Sequence, residues 1–367
     1  MAHALQERYS KLVLAKLRKE LVLKDGVVFN NDYEGSPSAG AVKIPARDTE
    51  VQVSDYDKAN GISGSTGTTE YITMNITKDK AVNEIIDGYD AASVPDDIVA
   101  ERLDSGTYSL ANQIDTDGGT TLIAAATVTN VSALTKDNIY AAIVDIRKDM
   151  NKAHVPKNNR YLLVTSDAMA LVLKSPEFTN ASSLGDSVKE TGAIGKIAGF
   201  LVIEWEDETA NLAMIAGHPR FATRAQEFSV PVHLQDLSGS GNYIGASAIQ
   251  GRNVYDHKVT RSAAIRAVYS PAALTVSLAA ATGEGSSGKT VATITTGNTG
   301  NTYAYKLNPS SRATYDMSSS AYGGTSLTSG TTAIAVSVGD IIEVVNLSSS
   351  KVKAVGYITV TASDIAE

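Results

Sequence analysis

Residues 40–82 read GAVKIPARDTEVQVSDYDKANGISGSTGTTEYITMNITKDKAV, and this stretch says most about the fold. Two runs that alternate apolar and polar residues, as β-strands do, flank a tip rich in glycine and serine. The pattern predicts a long hairpin that extends over Asn31–Val82. Since a two-stranded hairpin with so few apolar residues is not stable alone, we expect it to need a partner surface.

The composition restricts the class of protein. A chain of 367 residues with 43% apolar residues is long enough for two or more domains, each with its own core. The net charge of −8 argues against a dedicated nucleic-acid-binding protein. The absence of cysteine excludes disulfides, thiolate nucleophiles and cysteine-bound zinc. The sequence contains no stretch of 18 uninterrupted apolar residues, so it predicts no membrane-spanning helix.

The residues on either side of the hairpin mix helical and strand patterns. The N-terminal residues carry an apolar stripe typical of a helix: Leu5, Tyr9, Leu12, Val13 and Leu17. Pro95-Asp96-Asp97 is a helix start signal, and the long helix that follows is expected to end near Gly118. A second amphipathic helix is predicted for Thr135–Asn151, and strands are predicted for RYLLVTS, GKIAGFLVIEW and NLAMIAG.

The composition changes at Pro271, after which charged residues become sparse and serine, threonine and glycine replace them. Short alternating runs separated by turn-forming residues recur to the C-terminus, the pattern of a β-sandwich. They are 290–296, 302–307, 332–338, 341–347 and 352–360. We therefore place a domain boundary near Ser270.

GEGSSGKT, residues 283–290, matches the phosphate-loop pattern at Gly283, Gly288, Lys289 and Thr290. That loop binds phosphates only where a strand precedes it and a helix begins at the lysine. The residues that follow, VATITT, are mostly β-branched and favour a strand. We interpret the match as accidental and the segment as a hairpin turn, with no cofactor.

Other candidate catalytic or metal-binding residues have simpler explanations. The histidines show no spacing typical of a metal site or catalytic triad: His3, His154, His218, His233 and His257. The acidic residues of EWEDE are typical of a solvated turn: Glu204, Glu206, Asp207 and Glu208. Asp115 and Asp117 begin like a calcium loop, but the glycine comes too early and no glutamate follows at position twelve. The sequence therefore predicts a structural protein with no enzymatic activity and no metal.

The order of these segments resembles the major capsid proteins of tailed bacteriophages, which have the Hong Kong 97-like fold. The segment VFNNDYEGSPSAGAVKIPARDTEVQVSDYDKANGI resembles the entry to the extended hairpin loop of that family. VAERLDSGTYSLANQIDTDGGTTL is similar to its long spine helix, and VPKNNRYLLVTSDAMALVLKSPEF to the strand and helix that follow. GAIGKIAGFLVIEWED contains the most specific motif, G-x-I-x-G-F-x-V, and two further segments are similar to the closing strands: AMIAGHPRFATRAQEFSV and GRNVYDHKVTRSAAIRAVY.

The resemblance implies an α+β capsid-fold domain over residues 1–270. Its parts would be an N-terminal arm (1–30), the extended hairpin loop (31–82), the spine helix (95–117) and peripheral and axial subdomains, the axial-type one covering 155–250. Residues 271–367 resemble the immunoglobulin-like additions that some capsid proteins carry on the outer surface. Four tyrosines there are either sugar-binding residues or residues of the sandwich core and strand faces, and we favour the second: Tyr303, Tyr305, Tyr322 and Tyr357.

The resemblance also implies roles for individual residues. The hairpin loop of the family reaches over a neighbouring subunit, which makes four residues candidates for contact between subunits: Lys58, Gly61, Gly64 and Gly67. Some relatives crosslink a loop lysine to an asparagine, so Lys58, Lys78 and Lys80 are candidates for that reaction, although lysine is common in polar loops. Gly195 and Gly199 are expected to allow close packing in a strand.

The function implied is self-assembly, through hexamers and pentamers, into the icosahedral head shell of a tailed double-stranded DNA phage. The protein would assemble in the bacterial cytoplasm, form part of the virion, surround DNA non-specifically and contact a portal but no membrane. Because the hairpin begins near residue 31, no room is left for a long scaffolding segment, and a separate scaffolding protein is expected. The alternatives are an encapsulin-like nanocompartment shell, a surface adhesin or carbohydrate-binding protein, and a phosphate-loop enzyme.

Overall fold

The computed structural model describes residues 16–33, 40–46, 50, 51, 53–62, 64, 67, 69–93, 98–176, 195–239, 243–295 and 302–367. The chain forms two compact units, each built from two separate segments. The first consists of the described residues up to Ala125 together with His218–Ser262, and the second of Ala126–Gly217 together with Ala263–Glu367. The predicted boundary near Ser270 therefore falls inside the second unit.

The described part of the chain combines helices with many short strands, which confirms the α+β class. The α-helices are α1 (Gly88–Ser93), α2 (Ile98–Ala125), α3 (Ile139–Lys152), α4 (Ser166–Leu173) and α5 (Ser319–Tyr322). The strands are β1 (Ala41–Ala46), β2 (Glu70–Asn75), β3 (Lys78–Asp87), β4 (Thr127–Asn130), β5 (Arg160–Val164), β6 (Lys196–Ile197), β7 (Phe200–Glu204), β8 (Leu212–Gly217), β9 (Ala222–Asp236), β10 (Ala246–Val259), β11 (Arg266–Tyr269), β12 (Ala272–Ala273), β13 (Val276–Ala280), β14 (Lys289–Ile294), β15 (Thr302–Leu307), β16 (Thr325–Leu327), β17 (Ala333–Ala335), β18 (Ile341–Ser348) and β19 (Lys351–Thr359). No helix in this set is long and apolar enough to cross a membrane.

The first unit is organised around helix α2, which packs on the antiparallel sheet β3-β10-β9. Two glycines bring helix and sheet close together. A β-carbon on Gly251 of β10 would lie 2.7 Å from Val232 Cγ2 and 3.2 Å from Leu110 Cδ1. A β-carbon on Gly106 of α2 would lie 3.3 Å from Val232 Cγ1. Since neither glycine has a side chain, Val232 and Leu110 fill the space between the two elements.

The expectation that α2 ends near Gly118 is wrong, because the helix continues to Ala125. Gly118 lies on the buried face of the helix, where a β-carbon would be 3.0 Å from Phe29 Cε2 and 3.2 Å from His257 Nε2. The glycine is therefore required by packing rather than by a helix cap. The start signal at Pro95-Asp96-Asp97 and the stripe residues from Leu5 to Val13 lie outside the described residues. Leu17, the last residue of the predicted stripe, is fully exposed and is not part of a helix.

The second unit contains the mixed sheet β4-β11-β8-β5-β7-β6. Every residue of β5 and of β8 is buried, as expected of central strands covered on both faces. The predicted strand RYLLVTS and the helix after it are β5 and α4, and the helix predicted for Thr135–Asn151 is α3. These predictions are confirmed.

The residues after Ser270 form two sheets, β12-β19-β18-β15-β16 and β13-β14-β17. The two sheets enclose a common apolar core, in which Ala292 and Ile334 of the smaller sheet meet Ile342 and Val344 of the larger one. The five alternating runs noted in the sequence correspond to β14, β15, β17, β18 and β19. The larger sheet buries its second face as well, under Ala313 and Tyr322 of the connection between β15 and β16.

Specific contacts join these two sheets to the six-stranded sheet within the second unit. The Tyr315 ring stacks on Tyr269 of β11 with centroids 5.5 Å apart, and the Tyr315 N–H donates to the Val131 carbonyl at 3.0 Å. Asn211 Nδ2 donates to the carbonyls of Ser270 and Lys353, both at 3.1 Å. The C-terminal residues are therefore attached to the six-stranded sheet by several contacts in addition to the chain connection.

The contact between α2 and its sheet can be tested by filling the space at Gly251. A Gly251→Val substitution places methyl groups where Val232 and Leu110 already lie, and such overpacking costs about 1–3 kcal/mol. We expect the free energy of unfolding, measured in urea on unassembled protein, to fall by at least that amount. The matched control is Gly195→Val, because no described atom lies within 4 Å of a β-carbon there. Equal stability of the two variants would contradict the packing role of Gly251.

Candidate assembly surface

The predicted hairpin is present as strands β1 and β2. They pair antiparallel from Ala41↔Asn75 to Ala46↔Glu70. From Lys78 onward the chain pairs instead with β10, so the two-stranded part of the hairpin ends before β3 begins. The base is anchored by a small core in which Ile44 and Met74 pack against Ala225 of β9.

Beyond this base the loop exposes apolar side chains. Val51 is 89% exposed, Val53 98% and Tyr56 70%, and Ile62 is also exposed. An isolated exposed valine needs no explanation, but four such side chains along one extended loop form a surface typical of contact with a partner.

The tip of the loop is a preformed turn. The Asp57 carboxylate accepts hydrogen bonds from the Ala59 N–H at 2.8 Å and from Asn60 Nδ2 at 2.7 Å. The Gly61 N–H donates to the Asp57 carbonyl at 2.8 Å, with Gly61 at a φ of +71° that favours glycine. The hydrogen bonds from Ala59 and Asn60 stabilise the ionised carboxylate and therefore lower the pKa of Asp57. Lys58 lies exposed in this turn, where a partner can reach it.

The remaining hairpin residues named from the sequence fall into two groups. Gly64 and Gly67 are exposed, and no described atom lies within 4 Å of a β-carbon at either position. Lys78 and Lys80 do not lie in the loop, contrary to the expectation, because both belong to β3 and pair with β10. Lys78 Nζ also lies 3.4 Å from Asp117 Oδ1 on helix α2. Of the three lysines considered for crosslinking, only Lys58 is in the loop.

A buried polar cluster lies where β3 and β10 meet helix α2. Asp117 Oδ2 accepts a hydrogen bond from the Tyr255 hydroxyl at 2.8 Å, which helps to raise the pKa of that tyrosine beyond the effect of burial. His257 packs against the rings of Phe29 and Tyr255, with centroids 4.9 Å and 5.6 Å away. Among the described residues neither imidazole nitrogen has a hydrogen-bond partner. Burial lowers the pKa of His257 to about 3, so the ring is neutral at physiological pH.

The phosphate-loop match lies in a β-hairpin. Strands β13 and β14 pair antiparallel from Val276↔Ile294 to Ala280↔Thr290, and Gly283, Gly285 and Gly288 between them have positive φ. Lys289 begins a strand rather than a helix, and the Thr290 hydroxyl donates to the Ala279 carbonyl at 3.0 Å. The predicted turn is confirmed, and the helix N-terminus on which phosphate binding depends is missing at this lysine.

The close-packing role predicted for Gly195 and Gly199 is wrong. No described atom lies within 4 Å of a β-carbon on Gly195, and at Gly199 the nearest is Arg147 Cζ at 3.9 Å. Gly199 instead forms the turn between β6 and β7, where Ala198 has a φ of +48° and Gly199 of +86°. The motif G-x-I-x-G-F-x-V therefore encodes a tight hairpin, which requires left-handed backbone rather than space.

Two of the other candidate residues have hydrogen-bond partners that explain them. The His218 ring accepts from the Arg220 N–H at 3.1 Å, and Asp207 accepts from the Thr209 N–H at 2.8 Å, so EWEDE ends in a turn as predicted. His3 lies outside the described residues, and within the described part no three acidic or histidine side chains are grouped to hold a metal. Tyr322 is buried and the other three tyrosines pack against the cores of the C-terminal sheets, which confirms their interpretation as core or strand-face residues: Tyr303, Tyr305 and Tyr357.

Comparison with known proteins identifies the fold. No family model and no curated protein matches the chain. Among solved structures, a chain of Mycobacterium phage Che8 is similar at 21% identity with a TM-score of 0.62, over 72% of this chain and 96% of that one. A chain of the capsid of cyanophage P-SCSP1u is 13% identical with a TM-score of 0.63, over 72% of this chain and 92% of that one. A chain of the mature capsid of bacteriophage PhiM1 is 14% identical with a TM-score of 0.53, over 70% of this chain and 92% of that one. The resemblance to phage capsid proteins inferred from the sequence is thus confirmed at the level of the fold.

The neutral state of His257 makes stability depend on pH. Its pKa in the folded protein, about 3, lies below the value of about 6.5 expected when unfolded, so the unfolded chain binds more protons between these values. We expect the contribution to be complete above about pH 6.5 and to be lost, by up to about 1.4 kcal/mol per pH unit, as the pH falls. Arg224 and Lys78 act in the same direction, whereas Asp256 and Asp117 oppose it.

The measurement is the free energy of unfolding between pH 4.5 and 7.5 for the wild type and two variants. His257→Phe should flatten the profile, because the titrating ring is gone. The matched control, His233→Phe, removes an exposed histidine and should leave the profile unchanged. If all three profiles have the same slope, His257 is not the group responsible.

Proposed function

We propose that this chain is the major capsid protein of a tailed double-stranded DNA bacteriophage and assembles into its icosahedral head shell. The similarity of its fold to chains of phage capsid structures, over about 70% of its length, carries the proposal. The position of its exposed apolar side chains supports it. They lie on a hairpin that extends from the base at Ala225 and finds no partner for them among the described residues of its own chain.

The proposed layout follows the Hong Kong 97-like fold. Residues 31–82 form the extended loop, α2 is the spine helix, and the sheet β3-β10-β9 is the peripheral layer. The sheet around β5 and β8 belongs to the axial-type subdomain predicted for 155–250. The order of these elements along the chain and the 28-residue length of α2 support this assignment.

In a shell of many copies, the hairpin would lie across a neighbouring subunit. Burying the four apolar side chains of the loop against another copy removes their surface from water, which favours association by about 25 cal/mol per Å². The turn at Asp57 is formed in the single chain, so little ordering is needed when a neighbour binds it. Lys58, Gly61, Gly64 and Gly67 are the proposed points of contact near the tip.

We assign residues 271–367 to an immunoglobulin-like domain that decorates the outer surface of the shell. Its own core and its scarcity of lysine and arginine support this position, since DNA inside a shell is contacted through basic residues. A separate scaffolding protein and a portal complete the proposed set of partners. Assembly takes place in the bacterial cytoplasm, and the product is the virion.

A nanocompartment shell with enzyme cargo is not favoured, because the similar structures are phage particles. We regard the protein as structural rather than enzymatic. The phosphate-loop match occupies a hairpin turn, and no three of the described histidines and acidic residues are grouped so that they could hold a metal ion.

The role of the hairpin is tested by replacing its exposed valines. Val51→Asp with Val53→Asp should change the stability of the unassembled chain by no more than about 0.5 kcal/mol, since both side chains are in water. Assembly should fail, because two carboxylates would be buried at the contact with a neighbour. Negative-stain microscopy and sedimentation measure the outcome.

A Tyr89→Ser variant is the matched control, because Tyr89 is 80% exposed but lies outside the hairpin. It is expected to form normal shells. Shells of normal size and thermal stability from the double valine variant would show that the hairpin does not act between subunits. Failure of the wild type to form any shell, also in the presence of its scaffolding protein, would instead contradict the proposed function itself.

The position of the C-terminal domain is tested by a density map of assembled shells. We expect density for residues 271–367 on the outside, in a fixed orientation, because Tyr315 and Asn211 hold the domain against the six-stranded sheet. Density facing the lumen would overturn the assignment as a decoration domain while leaving the shell function intact.

A further inference from the structure

A row of polar side chains crosses the second buried face of the five-stranded C-terminal sheet. Lys306, Glu343 and Tyr357 lie directly opposite one another on β15, β18 and β19. Glu343 is fully buried, and its Oε2 accepts the Ala313 N–H at 3.1 Å. The rest of this face is apolar, so a charged row across it is unexpected for a region with a structural role alone.

Lys306 of this row and the nearby Arg312 each lie over a tyrosine ring. Lys306 Nζ lies 4.9 Å from the centroid of Tyr322, and Arg312 Cζ lies 4.5 Å from that of Tyr357. Stacking of this kind holds a guanidinium in a defined plane. Arg312 is solvent-exposed, and no carboxylate of the described residues forms an ion pair with it. Its guanidinium also approaches the Tyr357 hydroxyl as a hydrogen-bond donor, which leaves the rest of its five N–H groups for a ligand.

A pocket of about 220 Å³ opens beside Arg312. Its remaining walls are Asn308, Pro309, Ile341 and Tyr357. Asn308 is fixed at both ends of its amide, since Oδ1 accepts the Ile341 N–H and Nδ2 donates to Asp340 Oδ1, each at 2.8 Å. Pro309 and Ile341 give the pocket an apolar side opposite this polar corner. The walls are thus preformed.

We propose that this pocket binds a carboxylate carried on a ring of monosaccharide size, such as a hexuronate unit of an acidic polysaccharide. The planar fork of Arg312 matches a carboxylate with two parallel hydrogen bonds. The apolar side matches the C–H face of a pyranose. The pocket volume is smaller than that of sites for drug-sized ligands, and it is large enough for one sugar ring. Glu343 is the cross-strand neighbour of both Lys306 and Tyr357.

The test is saturation-transfer NMR on the full-length protein, which does not depend on assembly, with glucuronate as probe and glucose as its neutral counterpart. We expect a saturable signal from glucuronate, with a dissociation constant on the order of 1 mM for a site with one charged anchor, and at least tenfold weaker binding of glucose. Arg312→Gln should weaken glucuronate binding at least tenfold. Arg312→Lys, which keeps the charge but loses the fork, should lose most of the binding as well.

The matched control is Arg220→Gln, which removes an exposed arginine of the first unit and should leave binding unchanged. Circular dichroism establishes that each variant is folded. Equal signals from glucose and glucuronate, or unchanged binding in Arg312→Gln, would overturn the proposal. Displacement of glucuronate by equimolar inorganic phosphate would also overturn it, because an anion alone would then suffice and the apolar side would have no role.

Discussion

The close approach of helix α2 to its sheet is the constraint on which the first unit depends. Because Gly106 and Gly251 lack side chains, Val232 can fill the space between helix and sheet. Two ion pairs then fix β3 along the helix, Arg102 with Glu84 near one end and Lys78 with Asp117 near the other. The Arg102–Glu84 pair is the more exposed of the two and adds little stability, whereas the Lys78–Asp117 pair is mostly buried.

The direction of the hairpin is set by the position of β3 against helix α2 and strand β10. Strand β2 leads into β3 within three residues, and β3 is held by β10 over its whole length. The hairpin itself has only the small core of Ile44, Met74 and Ala225, which secures its base and leaves the loop in water. Within the described part of the chain, nothing covers Val51, Val53 or Tyr56, so these side chains are available for contact with a second molecule.

The C-terminal residues have an apolar core of their own and are still joined to the rest of the second unit. This core lies between the two C-terminal sheets, while Tyr315, Asn211 and the Ser132–Thr314 bridge attach them to the six-stranded sheet. Lys353 links both regions, because its carbonyl accepts from Asn211 and its Nζ donates to Asp316 at 2.6 Å. These contacts attach the C-terminal sheets to the six-stranded sheet at several points.

The sequence alone determined the features that arise from local pattern: the hairpin, the strands after Pro271, helix α3 and the turn at the phosphate-loop match. These follow from the alternation of side chains and from β-branched residues, which act over a few neighbours along the chain. Only the tertiary structure decided the roles of the glycines and lysines. Gly118 is a packing residue, because Phe29 and His257 lie against its face of the helix. Gly199 is a turn residue, and Lys78 pairs with Asp117. The roles of Gly118 and Lys78 are set by atoms distant in sequence, which the local pattern does not identify, whereas the turn at Gly199 depends on its left-handed backbone.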